Sequence, residues 1–142
     1  MTELEILDLQ AASIQATGLY FVGMAFTIWV AFRVSSVVSQ RTPDNIVMKA
    51  IASVFGICVV YYFNMVGAYQ DYNTQLAGHR LASLKASGGD VSQSSMDFVA
   101  FIGASTTPPT FTLVPADPIQ YVFLAAVLAI ILLPLWGPKQ DA

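Results

Sequence analysis

Apolar residues in this chain fall into long runs separated by short polar or proline-rich stretches. A helix needs roughly 20 residues to cross about 30 Å of hydrocarbon, and three runs reach that length. The first covers residues 12–32. Its strictly apolar part is LYFVGMAFTIWVAF, Leu19 to Phe32, preceded by Ala16, Thr17 and Gly18, which a spanning helix tolerates, and closed by Arg33. The second, residues 50–69 (AIASVFGICVVYYFNMVGAY), has Asn64 as its only strongly polar member. The third, residues 119–136 (IQYVFLAAVLAIILLPLW), follows Asp117, placed to cap it, and has Pro118 next to it at the first helical position, where a missing N–H costs nothing. Pro134 suits its last turn. The pattern predicts an all-α integral membrane protein with three transmembrane helices, forming a single domain over residues 1–142.

Helical periodicity continues beyond two of these spans. Thr2 and Glu5 fit a capping box, and Leu4, Leu7, Ala11 and Ile14 recur at helical spacing, so one helix is predicted from Thr2 into the membrane. VSSVVSQ after Arg33 prolongs it by two turns to the Thr42-Pro43-Asp44 break, where Thr42 or Asp44 is the expected cap of the next helix. Beyond Tyr69, QDYNTQLAGHRLASLKA contains no proline and carries Leu76, Leu81 and Leu84 on a partial apolar stripe ending at Gly88-Gly89. The first two helices are thus expected to extend past the bilayer as an antiparallel pair. Residues 90–95 (DVSQSS) read as a linker. Met96 to Ala104 is apolar but too short to span, which predicts a short amphipathic or re-entrant helix in the outer loop, and four prolines impose an extended path up to the third span.

Composition agrees with a lipid environment. The 142 residues are 56% hydrophobic and 11% charged, where an ordinary soluble domain carries about 25% charge. A net charge of -3 and six Lys and Arg in all leave no basic face, so no nucleic-acid partner is expected. The lone Cys58 cannot form an internal disulfide. Basic residues nonetheless set an orientation. Arg33, Arg41 and Lys49 gather around the connection between spans one and two, and Lys139 follows span three, whereas the chain opens with Glu3, Glu5 and Asp8. The positive-inside rule then places the N-terminus outside, residues 70–117 outside and the C-terminus in the cytoplasm. The acidic start is unlike a secretory signal, so the first run is read as a retained span.

Few side chains suggest chemistry. Asn64, near Tyr61 and Tyr62, must find a hydrogen-bond partner in hydrocarbon, either on a neighbouring helix or along a polar pathway. Tyr20, Tyr61, Tyr62, Tyr69 and Tyr72 suit an interfacial aromatic belt, with Trp29 and Trp136 at the opposite edge. Asp71, Gln75 and His79 lie at i, i+4 and i+8 and form, with Arg80, an outer polar cluster. One histidine and one carboxylate are too few for a closed metal site, and the sequence carries no phosphate-binding loop, nucleophile elbow or HExxH pattern. No catalytic residue, metal or cofactor is expected. Small residues at four-residue spacing, Ala12 with Ala16, Ala52 with Gly56 and Ala125 with Ala129, allow close helix approach. The reading that follows is a non-catalytic helical subunit that works with the lipid bilayer, with other membrane subunits or with copies of itself. Two alternatives stand beside it: a small oligomeric channel or carrier lined by the polar residues of span two, and an accessory subunit completing a cofactor or metal site through Asp71 and His79.

Overall fold

The computed structural model describes residues 1–115 and 117–138, and among these it is all-helical with no strand. The order is α1 (Glu3–Arg41), α2 (Ile46–Ala86), α3 (Gln93–Phe101) and α4 (Pro118–Trp136). Helices α1, α2 and α4 are each long and apolar enough to cross a membrane, with mean hydropathies of 1.7, 2.0 and 2.3 over their most apolar stretches. The chain is a multi-pass membrane protein by these criteria. At 1.5 Å per residue, the 39 residues of α1 and 41 of α2 have contour lengths of about 58 and about 62 Å. Each is about twice the roughly 30 Å that hydrocarbon covers.

Local chemistry explains the helix limits. At the start of α1 the Glu5 carboxylate accepts from the Thr2 N–H at 2.8 Å, and the Thr2 hydroxyl accepts from the Glu5 N–H, which is the reciprocal capping box. The cap of α2 differs from expectation. It is Asn45, whose side-chain oxygen accepts from the Met48 N–H, while the Thr42 hydroxyl turns back to the Val38 carbonyl and closes α1. Gly88, at φ +83°, ends α2: the Gly89 N–H reaches the Leu84 carbonyl and the Gly88 N–H that of Lys85, the paired bonds of a Schellman cap. Helix α3 begins three residues earlier than its apolar run. Ser92, inside the stretch read as a linker, caps it by accepting from the Ser95 N–H, and hydroxyl chemistry rather than hydrophobicity sets that boundary. Asp117 accepts from the Ile119 N–H with Pro118 at the first position of α4, as the sequence predicts.

The described chain divides into two compact units. The first comprises Met1–Leu19 and Val66–Val114, and the second Tyr20–Met65 and the residues from Pro115 on. In the first, Ile6 of α1, Ala77 and Leu81 of α2 and Val99 of α3 form a buried cluster, so the two helix extensions pack together with α3 against them. The chain after α3 then runs back along α2. Its residue numbers rise as those of α2 fall: Ile102 and Ala104 pack on Gly78, and Phe111 packs on Tyr72 and Tyr69.

The second unit is a three-helix layer around Ile28 and Ala31 of α1, Val59 of α2, and Val127 and Ile131 of α4. A further contact joins Val38, Ala52 and Leu135. Gly56 lies under Ile131, whose methyl groups occupy the space that a β-carbon would take. The Ala52 and Gly56 pair therefore serves the approach of α4 within the chain. Ala12, Ala16 and Ala125 remain exposed.

Candidate functional site

Two groups of polar side chains stand out, one in each unit. In the second unit, Asn64 on α2 accepts a hydrogen bond from the Gln120 side-chain amide of α4 at 3.1 Å. The pairing gives each amide a partner that apolar surroundings would not supply. Tyr61 and Tyr62 are both exposed and meet edge to face at 5.6 Å between ring centres. The sequence reading singles out Asn64 but not Gln120, which lies in the first turn of α4, where a polar residue reads as a helix start.

Three serines form a second set of interhelical bonds that the sequence reading passes over. Ser35, 1% exposed, donates to the Ile131 carbonyl at 2.5 Å, and Ser39 donates to the Pro134 carbonyl at 2.6 Å. The second acceptor has a plain cause: Pro138, four residues on, has no N–H to offer that carbonyl. Ser53 accepts from the Trp136 indole N–H at 2.8 Å and donates to the Lys49 carbonyl, and the Lys49 ammonium lies 5.5 Å from the centre of the same ring. The available signal was a pair of prolines at i and i+4 closing an apolar helix, together with hydroxyls at four-residue spacing on α1. Other hydroxyls on α1, those of Thr17 and Thr27, bond back to carbonyls four residues earlier in the same helix.

In the first unit, the side chains of the predicted outer cluster on α2 have the following neighbours. Gln75 donates to the Ile102 carbonyl at 2.9 Å, and His79 Nδ1 is 3.0 Å from the Ser105 carbonyl. Both side chains hold the returning segment after α3. Asp71 is exposed, and Arg80 lines a hollow with His79, Ile6 and Leu84. Among the described residues, no three His, Cys, Asp or Glu side chains group in a way that could hold a metal ion.

The densest polar junction is one the sequence reading treats only as a helix start. The Glu3 carboxylate accepts from the Ser92 N–H at 3.0 Å and from the hydroxyls of Ser92 and Ser95, both at 2.5 Å. Those bonds, led by the one from the Ser92 side chain, hold the Glu3 carboxyl below its ordinary range. Glu3 also meets the positive end of α3 and so fastens that helix to α1.

No family model matches the chain, and neither a curated protein nor a solved structure matches it.

Proposed function

We propose that the chain is a non-catalytic subunit of a homo-oligomeric or larger membrane complex, in which residues 70–117 serve as the outer recognition surface. The observation that carries this reading is the apolar surface left uncovered in the first unit. Phe101 of that segment is exposed, as are Leu4 and Leu7 of α1 in the same unit, beside helices whose own core buries only a few large side chains. Exposed apolar groups of that kind, rimmed by polar residues, mark surfaces that a partner covers. The spanning helices are similarly open, with 22, 17 and 17% of their most apolar stretches buried. Because lipid gives no hydrophobic drive for helix association, Ala12, Ala16 and Ala125 offer close-packing surface for further helices.

The orientation we assign has the N-terminus outside and the C-terminus in the cytoplasm, resting on Arg33, Arg41 and Lys49. Lys139, which counts toward the same side in the sequence, lies outside the described residues. Helix α3 is taken as a docked helix of the outer segment, because Ser95 and Val99 are buried against the chain itself and Glu3 holds its first turn. A subunit role is preferred to a channel because the Asn64 amide oxygen is already engaged by Gln120. Native mass measurement in mild detergent tests the reading. A particle several times 15.3 kDa is expected, and a stable lone monomer from the native membrane overturns it.

A further inference from the structure

Helix α1 turns its more polar side inward within the first unit and its leucines outward. The inward stripe is Glu3, Ile6, Gln10, Ser13 and Thr17, in which Ile6 is the only large aliphatic residue. The neighbouring stripe, Leu4, Leu7, Ala11 and Ile14, has the same three- and four-residue spacing and is exposed throughout. This stripe forms one wall of a groove. Leu7, Ala11 and Ile14 face Ser94 and Phe98 of α3 across it. Phe101, three residues past Phe98 and 89% exposed, prolongs the α3 wall.

Charge narrows the choice of occupant. Asp8 stands beside the α1 wall, four residues from Leu4 and three from Ala11, and Asp97 stands beside the α3 wall, next to Phe98; both are exposed. The first unit carries the carboxylates of Glu3, Glu5, Asp8, Asp71, Asp90 and Asp97 against the cations Arg80 and Lys85. Arg80 lines a different hollow, and Lys85 lies in the last turn of α2. An anionic lipid surface is repelled by such a rim. A second copy presenting the same face brings Asp8 and Asp97 against their own kind. A helix with an apolar stripe and basic flanks satisfies both the groove floor and its edges.

We infer that this groove takes an amphipathic helix of a different subunit, with its apolar face on Leu7, Ala11 and Phe98 and with Lys or Arg opposite Asp8 and Asp97. The inference rests on the subunit reading and names the chemistry of the partner. The test places a benzophenone amino acid at Leu4 or Phe101 of the full chain in its native membrane and sequences the photo-adducts. The expected adduct is a segment of another chain with basic residues flanking an apolar stripe. Its yield should fall at least about fivefold between about 0.05 and about 0.5 M salt, and comparably in D8K/D97K. Adducts with lipid alone, with a second copy or with an uncharged segment overturn the inference, as do no adduct and a yield indifferent to salt. Native mass of the unsubstituted protein separates the two claims: a large particle whose groove cross-links only lipid sinks the inference alone, and a monomer sinks the subunit reading with it.

Discussion

At Asn64 the energetics turn on what is left behind when one partner is lost. Asn64→Leu removes the acceptor of the Gln120 amide and strands that amide in the apolar layer, whereas removing both partners strands neither. Interhelical bonds of this kind are worth about 0.6 to 2 kcal/mol. Unfolding in bicelles is therefore expected to show N64L destabilised by about 1 kcal/mol and N64L/Q120L closer to the parent than that single variant. A double variant as weak as the sum of both singles would show that the pair is not coupled. Glu3 makes a prediction with a definite sign. Its carboxyl sits below the ordinary 4.5 because the Ser92 hydroxyl, then the Ser95 hydroxyl and the Ser92 N–H, favour the charged form. A depressed pKa contributes stability that is complete above about 4.5 and is lost as pH falls through the lower folded value. The melting temperature of the parent should thus drop more than that of E3Q between pH 6 and pH 3, with E3Q already lower at pH 6. Parallel pH profiles would remove the clamp from the account.

Among the elements, α2 and α4 approach closely, and Gly56 decides that contact. A β-carbon there meets the Ile131 side chain, which is fully buried and, being β-branched on a helix, is held to one rotamer. Gly56→Ala should cost about 1–3 kcal/mol despite the better helix propensity of alanine. In G56A/I131A the new methyl enters space that Ile131 vacates, so the double variant should lose less than the two single losses added; strict additivity in the same bicelle measurement would place the two side chains out of contact. This contact was half legible in advance. The Ala52 and Gly56 spacing identifies a close-packing face, but α1, α4 or another chain could equally have occupied it. The α3 boundary was hidden for a different reason. An apolar count starts the helix at Met96, whereas the hydroxyls that begin it, Ser92 and Ser95, are stabilised by Glu3, a residue 89 positions away. Ser35 and Ser39 escaped notice similarly, since their acceptors are carbonyls of α4, and a carbonyl leaves no mark on a sequence except through a proline such as Pro138.

For the whole molecule, length and charge together support the topology we propose. In the topology we propose, α1 and α2 both cross the membrane, and the short turn from Thr42 to Asn45 that joins them lies on the side opposite their far ends. The three basic residues Arg33, Arg41 and Lys49 all belong to the turn end of these helices. The orientation we propose keeps them in the cytoplasm, as the positive-inside rule favours. Cys58 lies within the second span, so replacing it with Ala leaves a background without thiols in which single cysteines report sidedness. In intact cells, a cysteine placed at exposed Ser87 should react with a membrane-impermeant maleimide, and one placed at exposed Asn45 should react only after permeabilisation. The reverse pattern would invert the topology while leaving the three spans in place. Labelling of both sites from one side would be more damaging, because Asn45 and Ser87 bracket α2 and such a result would mean that α2 does not cross.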